Sequence, residues 1–214
     1  MDKSLQAIIQ KRIENTVTAL RKNRFEAHYV PTAKEMLAEV AKRLSAGGVY
    51  SSGGSTTLKE TGVHQLLVAG SEKGSFTFHN RFVPGADDFE ICRAAFSCDV
   101  YLSGTNAITM DGKLYNVDGQ ANRVAAICFG PRNVIIVAGY NKIVADIPAA
   151  KERMRAICAP ANATRYSANT PCVTTGACQD CSSDERLCSQ ELITGWQQIA
   201  ERICVFIIGE EYGF

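Results

Sequence analysis

The sequence predicts an α/β protein built on a mainly parallel open sheet with helices on both faces. Short continuous runs of aliphatic and β-branched residues, NVIIVAG from 133 and CVFIIG from 204, suit strands buried on both sides. Segments with apolar residues at helical spacing alternate with such runs, which is the order a parallel sheet covered on both faces requires. At 214 residues, 46% hydrophobic and 21% charged, the composition is that of a packed globular protein, and the length fits one domain over 1–214 better than two.

Taken in order, residues 1–24 place Leu5, Ile8, Ile9, Ile13, Val17 and Leu20 at helical spacing between charges, an amphipathic helix. TAKEMLAEVAKRLSAGG repeats the pattern through Met36, Leu37, Val40, Ala41 and Leu44 and stops at Gly47-Gly48. Val49 and Tyr50 predict a short strand, SSGGST a tight loop, and Thr57 to Glu60 a capping box opening a helix. FTFHNRF reads as a strand and FEICRAAF as a helix. DVYLSG and AITMDGKLYNV read as strands, with Asp111-Gly112 the pair that a two-residue hairpin turn prefers. ANRVAAICFG and IPAAKERMRAICA are helical patterns on either side of the NVIIVAG strand. Residues 159–189 lack any regular period, ELITGWQQIAERI reads as a helix, and the CVFIIG run forms the last strand.

The formal net charge is +1, so there is no basic field to draw nucleic acid or an anionic membrane. The basic clusters of the first helix read as a solvated face. No stretch approaches the roughly 18 unbroken apolar residues of a membrane span, and the first residues lack the pattern of a signal peptide, so a cytoplasmic location is expected.

That location bears on the nine cysteines, because in a reducing compartment a tight group of thiols points to metal or redox chemistry rather than to a disulfide framework. CVTTGACQDCSSDERLC carries Cys172, Cys178, Cys181 and Cys188 in a C-x5-C-x2-C-x6-C spacing. Zinc sites usually show two close pairs; the single C-x2-C flanked by lone thiols is closer to an iron–sulfur arrangement without matching it. An iron–sulfur cluster, a zinc ion, and disulfides or free thiols remain the three readings. An irregular stretch of this length exceeds the usual limit of about 12–15 residues, and thiolate bonds to a metal would give it shape. Cys92, Cys98, Cys128 and Cys204 sit among apolar neighbours and are assigned to the core, while Cys158 is a possible substitute ligand.

Two further segments suggest a small-molecule site. Gly53, Gly54, Ser55, Thr56 and Thr57 place flexible backbone and hydroxyls at the mouth of a helix, where an anion can be held; neither the Walker nor the GxGxxG pattern is present. Asn106, Asn116, Asp118 and Gly119 fall at strand ends that lead into a helix, where open α/β sheets place ligands, although each residue singly also suits a structural turn. His28, His64 and His79 show no ligand spacing and read as structural.

GGSTTLKETG, the stretch from DVYLSGTNAITMDGKLYNVDGQANR to YNKIV, and TPCVTTGACQDCSSDERLC together resemble the LUD family, named for lactate utilisation. The resemblance covers nearly the whole chain. It implies a fold similar to the sugar-phosphate isomerase and CoA-transferase group, in which initiation-factor-like isomerases share a pattern that Gly104, Ile108, Asp111, Gly112, Leu114, Asn116 and Gly119 match. It also implies a role in lactate or related organic-acid oxidation as an accessory protein or subunit, with iron–sulfur partner proteins; the small-molecule anion expected as a ligand comes from the loop residues themselves, and a homo-oligomer is left open by the sequence. The competing expectation is an enzyme or binding module for a phosphorylated sugar or CoA-like ligand, with a structural zinc. The catalytic cysteine and acid of the sugar isomerases have no clear counterpart here, and no catalytic residue is assigned.

Overall fold

The computed structural model describes residues 2–214. Strands β1 (Glu26–Val30), β2 (Val49–Ser52), β3 (Thr77–His79), β4 (Val100–Ser103), β5 (Ala107–Thr109), β6 (Leu114–Asp118), β7 (Asn133–Gly139), β8 (Ile143–Val144), β9 (Gln190–Thr194) and β10 (Ile203–Ile208) form two sheets. The larger has the order β1-β10-β7-β4-β2-β3, and every pairing in it is parallel. The smaller, β8-β5-β6-β9, is mixed.

The helices are α1 (Lys3–Lys22), α2 (Ala33–Lys42), α3 (Thr56–Glu60), α4 (Val63–Glu72), α5 (Asp88–Ala94), α6 (Asn122–Phe129), α7 (Ile147–Arg153), α8 (Ala159–Arg165) and α9 (Pro171–Thr175). Alternation along the central strands divides the core. Val134, Ile136 and Ala138 of β7 with Ile203, Val205 and Ile207 of β10 face α1 and α6, whereas Ile135, Val137, Phe206 and Ile208 face α2, α3 and α4. Both faces are therefore covered, as the unbroken apolar runs predict. A third cluster joins Tyr115 and Val117 of β6 to Ala150, Met154, Cys158 and Ala159, packing the small sheet on the α7–α8 segment.

Helix α1 starts where Asp2 caps the amides of Ser4 and Leu5. Its buried stripe is Ile13, Thr16, Val17 and Leu20, while Leu5 and Ile8 are exposed, so the first turns of the predicted apolar face lie uncovered. Helix α3 opens two residues earlier than the expected capping box: the cap is Ser55, whose hydroxyl accepts from the Leu58 amide at 3.2 Å, and Thr57 is buried inside the helix.

Three other expectations are corrected. The β5–β6 hairpin has a three-residue loop closed by the Thr109 amide on the Lys113 carbonyl at 2.9 Å, with Gly112 at φ +85°, rather than a two-residue turn. Residues 159–165 continue the preceding helix instead of opening the irregular stretch. The Met154–Cys158 turn is π-helical, and this widened turn admits Pro160, which lacks an amide proton and would crowd an ordinary helical turn. Finally, residues 190–194 form β9 rather than a helix, because they pair antiparallel with the open edge of β6. The following turns give the Gln197 and Glu201 amides to the carbonyls of Asn23 and Arg24. Tertiary pairing overrides the local helical pattern there.

Of the thiols assigned to the core, Cys98 and Cys204 are buried, but Cys92 is half-buried and Cys128 is exposed. Cys128 lies on the outer side of α6, where apolar neighbours in sequence do not share its direction.

Gly112 seats the β5–β6 hairpin against α1. A side chain there would meet the Ala19 carbonyl carbon at 2.5 Å, and Asn23 donates to the carbonyls of Asp111 and Gly112 at 3.0 and 2.8 Å. Gly112→Ala should lower unfolding free energy in urea by about 1–3 kcal/mol from backbone strain, plus the cost of displacing α1. Gly47→Ala, at φ +76° with open space around it, should carry the strain alone. Equal losses in the two variants would show that the hairpin does not depend on its approach to α1.

Candidate anion-binding site beside the cysteine segment

The carboxyl ends of β2, β4 and β7 open into a cavity of about 660 Å³. The loop after β2 supplies Gly54 and Ser55 and the first turn of α3 Thr56 and Thr57; the loop after β4 supplies Gly104, Thr105 and Asn106; the turn after β7 supplies Lys142. Arg81, Arg123, Arg165 and Arg186 add four guanidiniums, and residues 184–187 with Ser189 close one wall, bringing the carboxylates of Asp184 and Glu185. This is the position at which open parallel sheets hold ligands, since the helices leave the strand ends uncovered there.

Arg123, near the start of α6, organises the floor. Its Nε donates to Asp118 Oδ1 at 2.8 Å, and its terminal nitrogens donate to Asn116 Oδ1 at 2.5 Å, Asn106 Oδ1 at 3.0 Å, the Val117 carbonyl at 2.9 Å and the Gly104 carbonyl at 3.3 Å. Asp118 also accepts from the Val124 amide at 2.8 Å, so a single carboxylate holds both the arginine and the first turn of α6. The pair is largely shielded from solvent, with side-chain exposures of 13% and 7%. Gly53 makes room for it, because a Cβ at that position would lie 2.9 Å from Arg123 Cδ. The amide nitrogen of Asn116 is buried and has no partner among the described residues.

Lys142 ends a short turn after β7 and is only 3% exposed. Its Nζ donates to Thr57 Oγ1 at 2.8 Å and forms no ion pair with a carboxylate among the described residues. Burial first, then the nearby charge of Arg153, pulls its pKa down to about 8. Arg165 is free of acidic partners among the described residues; it donates to Thr56 Oγ1 at 3.1 Å and to Asn162 Oδ1 at 2.7 Å. Arg81 is paired with Asp88 at 2.6 Å.

The cysteine segment forms the outer wall. Arg186 staples it by donating to the carbonyls of Cys181 and Cys188 and, at 2.9 Å, to Asp180 Oδ1. Cys172, Cys178, Cys181 and Cys188 are free and half-buried. Burial raises the Cys188 pKa, and the neighbouring Cys178 and Cys181 push it the same way, against Arg186. Among the described residues no three of these sulfurs lie within 4.8 Å of one another.

A model of the LUD domain matches residues 13–208. The chain belongs to the LUD domain family. No curated protein matches the sequence. A DUF162 family protein from Deinococcus radiodurans is similar to this LUD protein over 95% of its chain and 97% of the other, with a TM-score of 0.50 and 16% identity, a likeness of fold. The structures of eIF2B beta and eIF2B delta from Chaetomium thermophilum align with 54% and 63% of the LUD chain and 44% and 52% of their own, at TM-scores of 0.38 and 0.36 and identities of 13% and 17%.

Of the residues singled out in the LUD sequence, Gly54, Ser55, Thr56, Thr57, Asn106, Asp118 and Gly119 all line the cavity. Gly53 and Asn116 lie behind it, supporting Arg123. The oxygens of Asn106, Asn116 and Asp118 are turned onto that arginine, which gives them a scaffolding part. Cys158 is buried against Arg153, whose guanidinium lies 2.6 Å from its sulfur. Sequence reading passed over Lys142 and Arg165, the cavity cations without an ion pair among the described residues; a lysine three residues beyond an apolar strand was the available signal.

It also missed Glu26, His28 and Cys204, whose ligand atoms lie within 4.8 Å of one another. They meet only because β1 and β10 pair in register, Glu26 beside Cys204. Arg43 already neutralises Glu26, and burial pushes the Cys204 thiol up to about 12, so this trio is a poor cation site.

No helix among the described residues is long and apolar enough to cross a membrane.

Two outcomes follow from this geometry. Arg123→Met should cost about 3–5 kcal/mol in urea unfolding by leaving Asp118 buried and unpaired, and Arg123→Lys should recover little because a point charge cannot replace the planar fork; a lysine variant as stable as the parent would refute that part for Arg123. Because the folded Lys142 pKa is lowered to about 8, the unfolded chain binds more protons between that value and the ordinary lysine value of about 10.4, so stability from this group rises with pH across the window. The parent should gain on the order of 1–3 kcal/mol relative to Lys142→Met between pH 8 and pH 10, and parallel pH–stability curves would contradict it.

Proposed function

We propose that this LUD protein works in the utilisation of lactate or a related organic acid, as an accessory protein or subunit of an oxidation system. In this reading the cavity holds a small organic-acid anion, and Cys172, Cys178, Cys181 and Cys188 hold an iron–sulfur centre. The observation that carries it is a shared wall: residues 184–187, which lie between Cys181 and Cys188, line the same cavity as Arg81, Arg165 and Lys142. An anion pocket and a thiolate-rich segment are one structural unit.

The donor set suits a cluster better than a lone ion. Zinc draws its thiolates to about 2.3 Å from a single point, so their sulfurs crowd together. These sulfurs are more widely spaced, yet three of them stand near enough to influence one another's charge. Asp180 donates its amide to Cys178 Sγ at 3.4 Å, and Thr170 Oγ1 lies 3.2 Å from Cys172 Sγ; hydrogen bonds to sulfur of this kind tune a thiolate centre. A bound cluster would supply one-electron acceptance, and iron–sulfur partner proteins are the natural recipients.

The chain's own groups do the rest. Buried Lys142 and exposed Arg165 form no ion pair with a carboxylate among the described residues, so a carboxylate ligand can pair with them, while Asp184 and Glu185 on the outer wall set a limit to the ligand's negative charge. Arg186 holds the cysteine segment against the cavity through the carbonyls of two of the four cysteines.

Cavity volume favours a second reading. About 660 Å³ is far more than a three-carbon acid fills, and several cations in such a space suit a phosphorylated sugar or a CoA-like ligand.

Protein purified without oxygen should be coloured and contain iron and acid-labile sulfide, and Cys178→Ser with Cys181→Ser should lose both. Colourless protein with stoichiometric zinc would sink the cluster. Lactate or oxalate should raise the melting temperature, and Arg165→Met should abolish the rise; shifts with sugar phosphates or CoA and none with these acids would transfer support to the second reading.

A further inference from the structure

Lys142 is the one cavity cation able to exist as a neutral group near physiological pH. Arg81, Arg123 and Arg165 keep their protons at any such pH. The lysine is buried, its amine meets the Thr57 hydroxyl and no carboxylate pairs with it among the described residues. Arg153 cannot yield its proton either, and it is fixed by the Asn106 carbonyl at 2.8 Å. Confined with like charges and kept from water, the lysine is the group that gives up a proton.

We propose that Lys142 is an imine-forming residue: its amine condenses reversibly with the oxo carbon of a 2-oxo acid whose carboxylate is held by the cavity's remaining cations. This rests on the organic-acid reading above, since oxidation of a 2-hydroxy acid produces a 2-oxo acid, and it adds a covalent step which that reading lacks. The amine lone pair attacks the oxo carbon and a carbon–nitrogen bond forms. The carbonyl oxygen departs as water with both amine protons. No electrons are gained or lost, and no co-reactant is needed.

The surroundings suit both halves of the step. Thr57 Oγ1 accepts from Nζ at 2.8 Å, orienting the amine, and that hydroxyl also faces the Tyr212 carbonyl at 3.4 Å. Thr57 follows Thr56 in the first turn of α3, and Arg165 is bonded to Thr56 at 3.1 Å, so one helical turn joins the amine to a guanidinium without an acidic partner among the described residues. Residues 212–214 close over the amine. Gly213, at φ +62°, permits this, because a Cβ there would stand 2.4 Å from Thr57 Oγ1 and 3.2 Å from Lys142 Nζ. Excluding water from the amine favours dehydration to the imine. The lowered pKa adds a kinetic advantage: near neutral pH about a hundredfold more of this lysine is free amine than of an exposed one.

The test uses the full chain with pyruvate and cyanoborohydride, which reduces an imine to a stable secondary amine, followed by peptide mapping. Parent protein should acquire one adduct on the peptide containing Lys142, ahead of any exposed lysine, and excess oxalate should suppress it. Lys142→Arg, which keeps the charge, and Lys142→Met, which keeps the bulk, should both lose that adduct while other lysines label as before. Labelling spread over exposed lysines with none on Lys142 overturns the proposal. In that event, a melting shift with oxalate that persists leaves the anion-binding reading standing, and its absence removes both.

Discussion

The arrangement depends on one buried guanidinium. Arg123 donates to three side-chain oxygens and two backbone carbonyls from two separate stretches of chain, the loop after β4 and strand β6. Each acceptor is taken out of water by the surrounding sheet, and such groups are costly unless they are paired. Their mutual satisfaction fixes where the larger sheet ends, where the smaller begins and how α6 starts. A cavity beside such a network has a rigid floor.

From that floor the charge pattern of the cavity follows. Arg123 is balanced by Asp118 and Arg81 by Asp88, which removes two of the cations from the account. Arg165 and Lys142 remain without ion pairs among the described residues, and they are bonded to Thr56 and Thr57, successive residues in the first turn of α3. An anion entering the cavity meets more cationic than acidic side chains, and beside buried Lys142 the attraction is stronger than at an exposed surface. The cysteine segment is joined to this site by geometry rather than by regular secondary structure, through Arg186 and the residues between Cys181 and Cys188.

Strands β7 and β10 were legible because burial on both faces forces uninterrupted apolar residues, and α1 and α2 because one-sided burial forces a helical period. Strand β9 was not. Its ELIT residues suit a helix or a strand locally, and only the open edge of β6 decides between them. The helix through Pro160 escaped for a related reason: proline normally marks a boundary, and a π-turn relieves the clash only in a particular three-dimensional setting. The likeness of the chain to LUD proteins, read first from three motifs, is matched by the family model over residues 13–208.

By itself the sequence determined the parallel α/β architecture, the loop of Gly53 to Thr57 beside a strand end and the cluster of thiols, since these rest on residue type and spacing within a few positions of one another. Tertiary structure alone decided that Asn106, Asn116 and Asp118 turn toward Arg123, that Lys142 lies buried beside Thr57, and that residues 184–187 wall the same cavity. Side-chain partners 17, 85 or more positions apart in sequence leave no local period to read. Their charges and hydrogen bonds acquire meaning only when the sheet brings the strand ends together and water is excluded from between them.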